Sequence, residues 1–418
     1  MTQRAHIPVV IVGGGQAGLS VSYYLAQKGL DHVVLERHKK FHSWRVNRWD
    51  SFCLVTPNWQ CRLPDFPYQG SDPDGFMLRN EITDYLDAFA ETFDPPLVEE
   101  CAVTQITERP GGGYLVDTSQ GNYSTDQVVI ATGGYDNPIV PPYAAQLDPA
   151  IQQMHSVDYR RPAQMPEGGT LIVGTGQSGV QLMEDLHLEG RDVHLAVGPA
   201  PRSPRKYRGR DATDWLHDMG HYDITIAEHP DPIHAVTKTN HYMSGRDGGH
   251  EIDLRKFATQ GVSLYGSVSG MAGTRISFLP DLETNLDDAD ASYLGIRTSI
   301  DAHIAENGID APEEPAFEKL WRPAQEITEI DCAEAGITSI LWAIGFRPDY
   351  DWIDVDVFDA HGRPQFDRGI CDKSGFYFIG LGWLNTWGSG RFLGIDEDAR
   401  YLSDAILVKS KQALQAAS

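Results

Sequence analysis

The chain has 418 residues, with 59 Asp plus Glu against 34 Lys plus Arg and a formal charge of -25; a field of that sign repels nucleic-acid backbones and anionic membrane surfaces. Its 41% hydrophobic and 22% charged residues are those of a globular protein, which excludes disordered and fibrous classes. No apolar run reaches the roughly 20 residues of a membrane span, because the best stretch, Val9 to Leu25, is broken at Gly13 to Gln16.

Met1 to Pro8 lacks the charged, apolar and cleavage regions of a secretory signal, so a cytoplasmic protein is expected. The cysteines Cys53, Cys61, Cys101, Cys332 and Cys371 are scattered and contain no CxxC pair. That excludes a disulfide scaffold and a spaced zinc site, and no metal is expected.

In chain order, the first element is a β-branched run, Val9 to Val12, of the kind a parallel strand buried on both faces requires. It leads into Gly13-Gly14-Gly15-Gln16-Ala17-Gly18, a GxGxxG turn, and then into apolar positions at helical spacing as far as Gly29. A second strand, His32 to Leu35, ends at Glu36, 23 residues after Gly13. Gly13 allows the tight turn, Gly15 lets the backbone approach a pyrophosphate, Gly18 lets helix and strand pack, and Glu36 can accept from a ribose diol. Free amides at the helix start would hold the phosphate.

Farther along, Ile82, Tyr85, Leu86, Phe89 and Phe93 predict an amphipathic helix over 81–93, and Val128 to Gly133 is a buried strand ending in the small residues Ala131, Thr132 and Gly133. Thr170 to Val173 then opens a second turn, Gly174-Thr175-Gly176-Gln177-Ser178-Gly179, with a helix to about Leu188 and a strand near Val193 to Val197. Counting 23 residues from Gly174 lands on Val197, not on an acid. The carboxylate that would repel a 2'-phosphate is missing, and five cations follow in nine residues, from Arg202 through Arg205 to Arg210. Arg202 first and Arg205 second are the expected phosphate ligands of NADPH; the bland alternative is a solvated loop balancing nearby acids.

Ile340 to Gly345 resembles the strand end at 128–133, Gly375 to Gly380 is another strand, and Gly388 to Gly394 leads into a helix over 396–408. These signals predict an α/β fold of two Rossmann-like dinucleotide-binding domains, with an NADPH domain inserted into an FAD domain. The expected boundaries are 1–164 and 339–418 for FAD and 165–338 for NADPH, with 203–280 as a substrate lid. The acidic stretch Asp281 to Asp290 is expected to be a solvated helix face without a function.

Together these segments resemble the class B flavoprotein monooxygenases, especially the flavin-containing monooxygenases and their auxin-forming relatives. Trp44 stands at the spacing of that family's flavin-proximal Trp, Thr56 to Pro67 resembles the segment beneath the flavin, and His155 to Arg160 matches the second half of the signature FxGxxxHxxx(Y/F)(K/R). The first half departs, with Pro149 and Ile151 at its Phe and Gly positions. The resemblance implies FAD contacts at Gly13, Gly15, Gln16, Ala17, Gly18, Glu36, Arg37, Trp44, Val103, Ala131, Thr132, Gly133, Gly345 and Gly380. It implies NADPH contacts at Gly174, Gly176, Gln177, Ser178, Gly179, Arg202 and Arg205.

It further implies that NADPH reduces the flavin, that O2 adds to give a C4a-(hydro)peroxyflavin, and that an amine, sulfide or ketone is oxygenated. Asn58 is the candidate catalytic residue by alignment, its alternative being an Asx turn after Pro57. His155 is either catalytic or a linker histidine. The partners expected are a small-molecule substrate and O2, with no nucleic acid or membrane and with room for a homodimer. Competing readings are an NADPH oxidase releasing H2O2, a disulfide reductase and a non-catalytic redox sensor.

Overall fold

The computed structural model describes residues 5–417. The strand Ala5–Val12 pairs in parallel with His32–Leu35 on one side and with Gly121–Ile130 on the other. The eight-stranded sheet runs Ile353–Asp354, Val103–Glu108, Tyr114–Thr118, Gly121–Ile130, Ala5–Val12, His32–Leu35, Leu97–Val98, and Phe376–Phe378 lies parallel to the end of Gly121–Ile130. The β-branched run is explained by what covers it. Val9 and Ile11 pack with the first helix, Gln16–Gln27, while Val10 and Val12 face a separate cluster that includes Ile353 and Phe376. With both faces covered, alternation of apolar and polar residues is lost.

A second sheet of five parallel strands runs Gln152–His155, Ile337–Trp342, Gly169–Val173, Val193–Ala196, Ser263–Tyr265. Ile172 and Leu341 pack toward the helix Gln177–Leu188, and Leu171 and Ile340 toward the hairpin Val268–Ala272 and Arg275–Phe278. Two strands change the expected boundaries. Gln152–His155 precedes residue 165 and Ile337–Trp342 crosses residue 338, yet both belong to this sheet. Strand end 340–345 therefore serves the second glycine turn, not the first unit. Within 203–280, the strand Ser263–Tyr265 also belongs to this sheet, and the residues before it hold the short helices Ala212–Asp218, Pro232–Thr237 and Leu254–Thr259.

The two crossings between the sheets pair with each other. Asn137–Pro138 on the way out and Phe346–Arg347 on the way back form an antiparallel ribbon. The acidic stretch begins the helix Leu282–Asn307, which buries Leu286, Ala289, Asp290 and Tyr293 at spacings of three and four and ends at Gly308 with φ +61°. The C-terminal helix Ile395–Ala417 lies against the first helix, with Lys28 donating to Ser403 at 2.7 Å.

Candidate functional site: two glycine turns

Gly13 has φ +115°, and a Cβ there would stand 2.5 Å from the Ala131 carbonyl oxygen. A Cβ on Gly18 would stand 2.0 Å from the Gly13 carbonyl oxygen, whereas Gly15 faces open space. Gly13 and Gly18 are thus required by the chain itself, and Gly15 leaves room for something else. No side chain caps the following helix, so its first amides are left for a ligand with negative charge. Glu36 sits at this spot: its carboxylate accepts from the Gly14 amide at 2.7 Å and from the His38 amide at 2.8 Å. Each oxygen keeps a lone pair for a ribose hydroxyl.

The other members of the first set gather around this turn. Ala131 donates its amide to Val12 at 2.8 Å, and Thr132 and Gly133, with φ +73°, carry the chain away. A Cβ on Gly380 would meet the Ala17 side chain at 2.8 Å. Trp44 donates to the Gln16 side chain at 3.0 Å and stacks on Phe392 with centroids 5.4 Å apart. Val103 is half-buried two residues after Cys101, whose amide donates to the Glu36 carbonyl at 2.8 Å. Arg37 points to Asp136 at 2.7 Å and is exposed. Gly345 lies apart from this group, its carbonyl accepting from Ile139 at 3.0 Å beside the crossing ribbon.

The second turn repeats the first. Gly174 has φ +105°, its Cβ would stand 2.7 Å from the Ala343 carbonyl oxygen, and a Cβ on Gly179 would stand 1.9 Å from the Gly174 carbonyl oxygen. Gly176 has only the Thr239 methyl at 3.8 Å. Ser178 is half-buried in the first turn of the helix. Gln177 holds a different segment: its amide donates to the Met243 carbonyl at 2.6 Å and accepts from the Met243 amide at 3.2 Å. That pair draws 239–243 over the turn.

The cationic run is not a phosphate seat. Arg202 is 1% exposed and meets Asp290 at 3.0 Å, Asp253 at 3.3 Å and Glu251 at 3.4 Å. Arg205, also 1% exposed, is paired with Asp211 at 2.6 Å, while Arg208 and Arg210 are paired with Asp301 and Asp218. Asp290 belongs to the acidic stretch assigned no function above and Asp301 lies farther along the same helix, while Asp211 and Asp218 are local, so near and distant partners take up four of the five charges read as free in the sequence and the fifth, Lys206, is exposed.

Asn58 is 3% exposed and is also engaged: Nδ2 donates to the Asp72 carbonyl at 2.9 Å and Oδ1 accepts from the Met77 amide at 2.8 Å. This favours a clamp on 72–77 over a catalytic side chain. A surface depression of about 320 Å³ lies beside it, lined by Cys53, Asp72, Phe76 and Arg246, and neither glycine turn contributes to its wall. His155 is buried at the end of its strand against Phe346 of the ribbon, with burial lowering its pKa, which suits a linker histidine.

Of the wall formed where 222–243 meets the loop 381–391, the sequence offers only Trp383 and Trp387, as aromatic residues that line a pocket or pack a core; their partners were missed. Ile226 donates its amide to the Asn385 carbonyl at 2.6 Å, Tyr222 packs on Trp387 with centroids 4.8 Å apart, and His229 lies 5.0 Å from Trp383. His241 is pushed down to about 4 by burial, helped by Lys238 and His221, and is neutral at pH 7. Tyr222, Ile226, His229 and His241 sit in loops without a period or motif, so only their spatial meeting reveals them.

All five cysteines are free. Burial pushes Cys53 up to about 11 and Cys61 up to about 12, so neither is a thiolate at neutral pH. Among the described residues no cluster of His, Cys, Asp and Glu could hold a metal, and no helix is long and apolar enough to cross a membrane.

Two glycine turns of one design, each at the end of a parallel strand, are of the kind that dinucleotide-binding proteins use. The model of the pyridine nucleotide-disulphide oxidoreductase family matches residues 10–238, more than half of the chain, and the chain belongs to that family. It is 29% identical over 404 residues to an uncharacterized CzcO-like oxidoreductase of Geobacillus kaustophilus, covering 96% of this chain and 98% of that one. It is 31% identical over 194 residues to the rice indole-3-pyruvate monooxygenase YUCCA4, covering 42% of this chain and 44% of that one. A flavin-containing monooxygenase from Stenotrophomonas maltophilia has the same fold, with TM-score 0.66, 18% identity and 97% and 99% coverage of the two chains. The chain is therefore an oxidoreductase of the pyridine nucleotide-disulphide family, which works with FAD and NAD(P)H.

Proposed function

We propose that the chain is an NADPH-dependent flavoprotein monooxygenase, with FAD on the first glycine turn, NADPH on the second, and a small amine, sulfide or ketone as the molecule oxygenated. The observation that carries this reading is the repeated turn: Gly13 and Gly174 take the strained φ, Gly18 and Gly179 allow the close packing, and Gly15 and Gly176 leave the ligand face clear. Segments 5–130 and 353–417 form the FAD unit and 152–342 the NADPH unit, with the ribbon between them as the joint.

Bound FAD would accept hydride from NADPH and activate O2. The chain's own residues bind and shield. Glu36 orients a ribose, the uncapped helix starts hold pyrophosphates, and Trp44, fixed by Gln16, stands beside the first turn. Gln177 pins 239–243 across the second turn, and 222–243 closes on 381–391, which keeps water from the space between.

The test is a product balance. Purified flavoprotein should couple NADPH consumption to incorporation of one atom of labelled O2 into a member of a panel of amines, sulfides and ketones. Stoichiometric H2O2 with every compound tried would overturn the proposal in favour of an oxidase. A disulfide reductase is disfavoured by the separate, buried, protonated Cys53 and Cys61.

A further inference from the structure

The covering segment 239–243 is held by Gln177 and then runs into a loop, 244–250, that returns onto the same helix. Ser244 and His250 pair across that loop, the Ser244 amide donating to the His250 carbonyl at 3.2 Å. Both of their side chains reach Glu184, which is 3% exposed on the helix Gln177–Leu188: Ser244 Oγ donates to Oε2 at 3.0 Å, and His250 Nε2 meets Oε1. Arg246, between them, donates to the neighbouring Asp185 at 2.8 Å. The loop is thus tied to the helix that starts at the second glycine turn.

The contacts of the His250 ring fix its charge. Nδ1 lies 3.1 Å from the Arg246 carbonyl oxygen and Nε2 lies against the Glu184 carboxylate, and a carbonyl and a carboxylate only accept. Both ring nitrogens therefore carry hydrogen, which is the imidazolium form. A neutral ring has one N–H, so loss of the proton turns a lone pair toward one of these oxygens and breaks that contact. The Ser244 hydroxyl does not replace it, being committed to Glu184 Oε2 while it accepts from the Arg246 amide at 3.2 Å. The His250 side chain is 41% exposed, so its proton exchanges with solvent without any opening of the fold. The other groups facing this spot are Asp185 from the helix, Arg246 and Asp247 from the loop, Arg205, whose Nε would stand 3.2 Å from a Cβ on Gly249, and the buried Cys53 thiol. The hydrogen bond to Glu184 raises the His250 pKa, against partial burial and with help from the charges of Glu184 and Asp247.

We propose that His250, as an imidazolium, is a positioning residue for the nicotinamide cofactor: protonated, it holds 244–250 on Glu184 and so keeps 239–243 across the second glycine turn, and deprotonated, it releases that end of the segment. The proposal rests on the reading that NADP(H) occupies the second turn, and it gives that site a pH response that its glycines and helix start lack. Because the folded pKa lies above the ordinary 6.5, the contact is complete below that value and is lost as pH rises through the folded pKa.

Two measurements on the flavin-loaded protein test this, each taken from about pH 6 to about pH 9: the ring resonances of isotope-labelled histidine, and equilibrium binding of NADP+. The resonance that disappears in His250→Gln should titrate with a midpoint above 6.5, and Glu184→Gln should move that midpoint down. The NADP+ affinity of wild type relative to His250→Gln should fall roughly two- to fivefold across the same midpoint, the titration of the cofactor's own 2'-phosphate cancelling in the ratio. A ring with a merely structural role would change affinity by one factor at every pH. A midpoint at or below 6.5, or a ratio that does not vary with pH, overturns the proposal. If one variant fails to fold, the other still identifies the resonance and supplies the ratio. Absence of NADP+ binding would sink this proposal and the cofactor reading together, whereas a flat ratio with binding intact sinks this one alone. Oxygen transfer enters neither measurement, so an oxidase outcome of the product balance leaves both unchanged.

Discussion

A single added methyl group separates the glycines that shape the turns from those that face a ligand. In Gly18→Ala the new Cβ has no space, at 2.0 Å from a backbone oxygen, and overpacking of this kind costs roughly 1–3 kcal/mol or more. Its melting temperature should fall even in the apoprotein. In Gly15→Ala nothing in the chain is touched, so the apoprotein should melt as wild type does while flavin retention drops. Equal apoprotein melting of the two variants would contradict this division. Arg202 carries a different prediction now that its partners are known. Arg202→Ala leaves Asp253 and Glu251 without their cation and Asp290 with Arg255 alone, and should cost about 3–5 kcal/mol of stability. The ratio of Michaelis constants for NADPH and NADH should move little, where a phosphate ligand would shift it strongly.

Asp398 supplies the pH dependence at the same scale. It is 2% exposed, and burial, opposed by a hydrogen bond from Ser389 and by Arg368, lifts it from 3.8 to about 6. A carboxyl whose folded pKa is raised contributes stability below its unfolded value, and that contribution is lost as pH rises through the folded value. Two units correspond to about 3 kcal/mol. Relative to wild type, Asp398→Asn should therefore gain stability as pH is taken from 4 to 7, read as the difference between the two melting curves. A constant difference across that window would show that Asp398 does not titrate there.

At the scale of elements, both strand-turn-helix units could be read in the sequence, because a strand buried on both faces must be β-branched and a turn this tight admits only glycine at its strained and crowded positions. The helix Leu282–Asn307 was only half legible. Its acids suggested a solvated face, yet Asp290 is 4% exposed, because burying it against Arg202 and Arg255 holds the insertion to the second sheet. Charge composition shows that acids and bases are present, not which of them meet. The covering segment 222–243 left no periodic trace either. Its attachment to Gln177 makes a prediction: Gln177→Ala should open 239–243 to limited proteolysis and weaken the nicotinamide cofactor several-fold, and saturating cofactor should restore part of the protection. Unchanged cleavage would separate Gln177 from the closure of that segment.

On the scale of the whole molecule, one of the polar junctions between the two sheets' units is built on a single acid. Asp185 in the second unit's helix accepts from Tyr159 at 2.7 Å, from Arg246 at 2.8 Å and from Ser51, gathering three distant segments on one buried carboxylate. Nothing in the spacing of these residues announces the meeting. What the sequence determined by itself is local and repeated: two glycine turns, each at the end of a buried strand, and an acid placed after the first, since backbone sterics dictate those residues within a short stretch. What only the tertiary structure decided is how charge and loops are used. Whether Arg202 faces a phosphate or a carboxylate and whether Asn58 is free or clamped both depend on segments far apart in the chain. Their contact energies are settled by burial, and burial belongs to the assembled fold rather than to any stretch of it.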